Sequence, residues 1–319
     1  LVDPRDLPIG YLFVNVCMCV VPAAVVVLYS NSHVIGVVYM VATIAFFYER
    51  FLLALHFSSH RRLTHSSILN AVPEYVLAPF FGLPPGVYKL HHLSVHHKGN
   101  NHSEKDFTST EKYQRDSVLH FAHYWATFVF CVFVRLPLYA YNNGRMQKLR
   151  SVVAGFGASA CVCCVLYRAN PVGVWYVFLL PMVVSSLLTS FGNFCQHLFI
   201  DGEFPDRNHA LTYSIINSTS NQQSFNDGYH VTHHINSGLH FTQLPIEFHQ
   251  NLERYAQEGS IVFENTSFFG IGVCVFLHDF NGLARRWVDI GTGKPKTRHE
   301  IERLLRKRLR PVIRGCSSE

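Results

Sequence analysis

Apolar residues run almost unbroken through four stretches of the chain, roughly 10–29, 33–55, 151–169 and 172–195. Each is close to the about 20 residues that a helix needs to cross about 30 Å of hydrocarbon. Only Ser30-Asn31-Ser32 separates the first from the second, and Arg168-Ala169-Asn170-Pro171 separates the third from the fourth. Connections this short predict two antiparallel helical hairpins. A fifth apolar stretch, 118–141, contains His120, His123 and Arg135 and is interrupted by Pro137. It is read as an interfacial or half-inserted helix, and parity supports that reading. His56 and His60 follow the second span and His197 closes the fourth, so four spans leave these histidines on one face and five would divide them. The stretch 261–278 is apolar but short, with polar residues near its start, and predicts a membrane-surface or core-packing helix. The predicted fold is an all-α integral membrane protein, a single domain over 1–319. It has four transmembrane helices in two hairpins and a cytoplasmic, histidine-rich helical cap.

Composition agrees with a membrane class. Of 319 residues, 49% are hydrophobic and 15% charged, against about a quarter charged in a soluble domain. The net charge of +6 is concentrated in a basic tail, 285–319, which carries +7, whereas the rest sums to −1. Basic segments flanking spans stay in the cytoplasm, next to anionic lipid. Arg145, Lys148 and Arg150 fall on the same side under the four-span reading, and so do the sequons at Asn101, Asn217 and Asn265, which then stay unglycosylated. The apolar remainder argues against a nucleic-acid partner. Six of the nine cysteines lie in apolar runs and read as small membrane-core residues rather than a disulfide framework. The sequence opens on Leu1, so a missing N-terminal leader is an open expectation.

The polar chemistry is carried by histidine. "HFSSH" sets His56 and His60 one turn apart on the helix leaving the second span. "HLSVHH" supplies His92, His96 and His97; "NFCQH" puts Asn193 one turn before His197; and "HVTHH" holds His230, His233 and His234. One such pair alone reads equally as surface histidines or a small hydrogen-bonded cluster. Four groups with helical spacing, gathered at span ends, predict an ordered metal site, because neutral imidazole is the commonest metal ligand. These nine histidines with one amide carbonyl are enough donors for two metals with open positions.

These groups resemble the three histidine boxes of the membrane fatty acid desaturase and hydroxylase superfamily, HxxxH, HxxHH or HxxxHH, and HxxHH. "NFCQH" is similar to the Asn-xxx-His element of stearoyl-CoA desaturases, and "GYHVTHHINSGLHFTQLP" resembles the stretch around the third box of bacterial and algal members. The likeness extends over roughly 45–250. It implies a di-iron centre with His56, His60, His92, His96, His97, His197, His230, His233 and His234 as ligands and Asn193 as a ligand or water anchor, with no catalytic residue beyond the metal centre. His91 precedes the second box and is an alternative to His92. The proline expected at Ser237 is missing. Asp106, Asp201 and Asp227, with His91, are candidates to orient ligand histidines through their second nitrogen; His65, His102 and His240 lie near the boxes and are weaker candidates.

The activity implied is dioxygen-dependent desaturation of a fatty acyl chain. A hydroxylase or ketolase of a fatty acid, alkane, sterol or carotenoid on the same scaffold is the alternative, since both begin by removing one hydrogen. A non-catalytic metal-binding or transport protein is a more remote reading, because transport predicts polar ligands in mid-span, where they are expensive. No heme-binding HPGG stretch or GxGxxG fingerprint occurs in the sequence, so the electron donor is expected to be separate, a cytochrome b5 or a ferredoxin. The expected location is the endoplasmic reticulum, with a plastid or bacterial inner membrane as alternatives.

Overall fold

The computed structural model describes residues 1–291 and 294–313; parts of the basic tail, 292–293 and 314–319, lie outside the described residues. The chain is mostly helical and divides into two compact units, Leu1–Ser94 with Val129–Leu188, and Val95–Phe128 with Thr189 onward. Among the described residues five helices are long and apolar enough to cross a membrane: α1 (Pro4–Ser30), α2 (His33–His60), α3 (Val118–Asn142), α4 (Met146–Ala169) and α5 (Pro171–Gln196).

Local chemistry sets the hairpin turns of the first unit. Asn31 closes α1 in the left-handed region at φ 47°, which asparagine tolerates better than other side chains, and Ser32 caps α2 by accepting the Ile35 N–H. At the other hairpin, Asn170 caps α5 by accepting the Gly173 N–H at 2.9 Å and donates its amide to Leu28 O at 2.7 Å. One side chain thus ties the α4–α5 turn to the end of α1. The core of this unit packs Val16, Val20, Ala24 and Val27 of α1 against Tyr39, Phe51 and Leu55 of α2, with Val177 of α5 and Leu77 and Phe81. Phe51 and Phe81 stack with centroids 4.1 Å apart. Gly36 allows close packing of α2 on α5, because a Cβ there would lie 2.2 Å from the Tyr176 ring. Val14, Met18, Val25 and Val26 of α1, and Val153, Val162 and Val165 of α4, are exposed. Apolar faces of that extent belong against lipid rather than water.

The stretch 118–141 is one continuous helix, not one broken at Pro137. A π-helical turn, Cys131–Arg135, ends two residues before the proline. The same offset recurs at Pro22 after Val16–Val20 and at Pro181 after Trp175–Leu179. A wide turn just before the proline accommodates the ring and the missing N–H that would otherwise break the i→i−4 ladder. By length and composition this helix therefore qualifies beside the other four, and the number of spans is a matter of topology, not of helix formation.

The second unit is built from short helices and loops. Its departure from an all-helical fold is a parallel pair, β1 (Ser214–Ile216) with β2 (Val262–Glu264), in register Ser214↔Val262. The start of the 261–278 stretch is thus strand, and helix follows only at Phe268–Phe276, capped by Ser267. Buried Val262 and Phe263 are strand formers, and Asn265 at φ 52° turns the chain between the two elements. Asn101 is fully buried, with Oδ1 accepting the Thr110 N–H at 2.9 Å, so that sequon is inaccessible whatever the topology. Near the chain's end the helix Arg298–Arg308 begins with a reciprocal cap between Thr297 and Glu300 and buries Ile301 and Leu305.

Candidate metal centre

In the first unit the predicted histidines converge. His56 and His60 lie one turn apart at the end of α2, with ring centroids 5.4 Å apart. His92 packs against both, 4.3 Å from His56 and 4.9 Å from His60 by centroid. The Nε2 atoms of His60 and His92 approach to 2.9 Å, so each points its outer nitrogen at the other. His91 ends the short helix Val87–His91, half-buried.

The second box crosses a π-helical turn, His92–His96. Its wider spacing turns His96 away from the register that a regular i, i+4 stack would give. His96 instead joins His197 and His234, with centroids 5.1–5.4 Å apart. One ring nitrogen from each of these three lies within 4.8 Å of the other two. His230 borders the set, its Nε2 3.2 Å from that of His234, while His97 pairs with His233, Nε2 to Nε2, at 3.0 Å. Adjacent histidines thus diverge, His96 from His97 and His234 from His233, because neighbours on a helix point about 100° apart.

The Nδ1 atoms of the three-histidine set all face acceptors. That of His197 is 3.0 Å from the Leu211 carbonyl, that of His96 3.0 Å from Asp106 Oδ2, and that of His234 3.0 Å from Asn100 Oδ1. A carbonyl and a carboxylate can only accept, so Nδ1 carries the proton and the lone pair resides on Nε2. Asp106 is itself fully buried and held by the Thr108 N–H and hydroxyl at 2.8 and 2.6 Å. His197 Nε2 is buried without a hydrogen-bond partner among the described residues, a costly state for a polar atom. Burial pushes His197 and His234 well below the ordinary histidine range, with the neighbouring imidazoles adding to it. Both rings therefore stay neutral, as a metal ligand must.

These observations fit a metal. Ring nitrogens within 4.8 Å of one another can share a first-row ion, for which metal–imidazole distances are about 2.0–2.1 Å. The donor set is all imidazole, which suits zinc, copper, iron or nickel. Residues 16–265 match the family model described as fatty acid desaturase. The chain belongs to the fatty acid desaturase family. Comparisons with curated proteins and with solved structures gave no match. Family membership makes the chain an oxidoreductase with a lipid substrate in a membrane context.

The remaining candidate residues fall in several places. Asp227 accepts Gln196 Nε2–H at 2.8 Å and has Oδ1 3.5 Å from His230 Nδ1. Asp201 accepts Arg308 at 2.7 Å, a link to the C-terminal helix. Asn193 donates its amide to Tyr124 Oη at 2.7 Å and to Thr108 O at 3.4 Å. His102 accepts the Glu104 N–H and His240 the Thr242 N–H in local turns, and His65 is exposed. Sequence reasoning missed Asn100, Thr108, Tyr124 and the Leu211 carbonyl. Asn100 had a signal in the "GNN" run, where a left-handed turn at φ 50° directs its side chain to His234.

Proposed function

We propose that this chain is a dioxygen-dependent fatty acyl desaturase with two irons, ligated by His56, His60, His92, His96, His97, His197, His230, His233 and His234, with Asn193 as ligand or water anchor. His96, His197 and His234, bordered by His230, hold one iron. The observation that carries this reading is the set of buried imidazoles whose Nδ1 atoms face acceptors, leaving Nε2 for metal. Bound there, two imidazole-ligated irons would take two electrons from a carrier and activate dioxygen, which is reduced to water as two hydrogens leave an unactivated alkyl chain. The protein's part is to hold that chain and to keep the rings neutral and in one tautomer. Asp106 fixes the orientation and tautomer of His96 through Nδ1, and Asp227 borders His230.

Electrons come from a separate carrier, a cytochrome b5 or ferredoxin, drawn by the basic tail. Expression in cells lacking the activity should give a new unsaturated lipid, with about two irons per chain in the purified protein. A hydroxylated or keto product would transfer the chain to the alternative on the same scaffold, and iron-free protein inactive after iron reconstitution would sink both.

The proposed topology has four spans, α1, α2, α4 and α5, in the endoplasmic reticulum membrane, with α3 in the interface and the histidine cap cytoplasmic. A reporter inserted near Arg145 should then share the face of the basic tail, while reporters at Ser30 and Asn170 should be reached only from the opposite face. A reporter near Arg145 on the lumenal face would establish five spans.

A further inference from the structure

Asn193 and Asp106 are linked through Thr108, and Asn193 also meets Tyr124. Tyr124, 1% exposed, donates its hydroxyl hydrogen to Thr108 O at 3.1 Å. Its oxygen is thereby left to accept, and Asn193 Nδ2 lies 2.7 Å away. Thr108 O is also 3.4 Å from Nδ2, and a carbonyl oxygen tolerates only a donor there. Two independent contacts therefore decide which end of the amide is nitrogen. The same Thr108 holds Asp106 through its N–H and hydroxyl, and Asp106 faces His96 Nδ1 at 3.0 Å.

We propose that Tyr124 is a positioning residue that holds the Asn193 amide with Oδ1, rather than Nδ2, as the atom offered to iron or to its bound water. Without the phenol oxygen, Nδ2 keeps only the longer contact to Thr108, and the amide can rotate to present N–H groups that no metal accepts. The proposal rests on the reading of Asn193 as an iron ligand or water anchor. A carboxylate at this position has two equivalent oxygens and needs no such orientation, so the role of Tyr124 should vanish when Asn193 is replaced by aspartate.

The test uses iron-loaded full-length protein and follows the rate at which a ferrous chelator strips iron, with the Mössbauer spectrum of the bound iron and the thermal midpoint alongside. Tyr124→Phe should speed loss of one of the two irons about 10- to 100-fold, the range for removing the partner of a metal ligand, and change one iron's quadrupole doublet. Asn193→Leu should do at least as much, and the double variant no more than Asn193→Leu alone. In the Asn193→Asp background, Tyr124→Phe should leave the stripping rate within about twofold, well inside the 10- to 100-fold range. Equal acceleration by Tyr124→Phe in the Asn193 and Asn193→Asp backgrounds, or a wild-type rate in Tyr124→Phe while Asn193→Leu is fast, overturns the proposal alone. A wild-type rate and spectrum in Asn193→Leu overturn the ligand reading beneath it, and the proposal with it.

Discussion

Replacing His197 with leucine is expected to leave a folded, membrane-inserted protein with about half the iron and a turnover lower by about 10³-fold or more, a barrier increase of about 4 kcal/mol. His197 Nδ1 is committed to the Leu211 carbonyl and its Nε2 is buried without a hydrogen-bond partner among the described residues, so removing the ring takes away one corner of the His96–His197–His234 set. The other two rings keep their acceptors, Asp106 and Asn100, so the surroundings should persist. In the metal-free protein the substitution also deletes an unpaired polar atom whose burial costs about 1–3 kcal/mol, which offsets the lost bond to Leu211. The thermal midpoint without metal should therefore move by only a few degrees. Metal analysis, turnover and a melting curve on one preparation check this. Full iron with wild-type turnover would remove His197 from the centre.

Replacing Arg115 with leucine is expected to abolish folding. Arg115 is fully buried, and its guanidinium donates to the carbonyls of Leu198, Thr110, Glu111, Tyr113, Arg308 and Arg310 at 2.6–3.3 Å. No carboxylate is among these acceptors. Burial lowers the guanidinium to about 9, and it remains charged at neutral pH. A buried acceptor left unpaired costs about 1–3 kcal/mol. Even a few of the six consume a large part of a domain's about 5–15 kcal/mol. These carbonyls also belong to the loop carrying Thr110, to the residue after His197 and to the end of the C-terminal helix, so their release loosens the ground on which His197 stands. Arg115→Lys keeps the charge but offers three donors to six acceptors, and should give a folded minority. Yield after detergent extraction and size-exclusion chromatography measures both. A monodisperse Arg115→Leu protein at wild-type yield would refute this role.

The sequence alone determined the membrane class, the two hairpins and the composition of the metal-site candidates, because each is written in local periodicity. Apolar runs of bilayer length declare helices, Asn31 and Asn170 stand at the turns, and histidines one turn apart share a helical face. Pro137 misled for an equally local reason: it predicts a break in a regular ladder, and the π-helical turn Cys131–Arg135 lies outside that regular register. Val262 and Phe263 belong to strand because Ser214 and Ile215, far away in the chain, supply the partner backbone. The acceptors facing the outer nitrogens of these histidines were likewise decided in three dimensions. His96 meets Asp106 across one loop, which sequence proximity could suggest. His234 meets Asn100 and Asn193 meets Tyr124 across separations of 134 and 69 residues. Asp201, near the fourth-span exit in sequence, turns to Arg308 because the buried guanidinium there offers it a charged partner. Helical spacing states which side chains share a face; which acceptor waits for each nitrogen depends on how the segments fold back, and only the tertiary structure decides that.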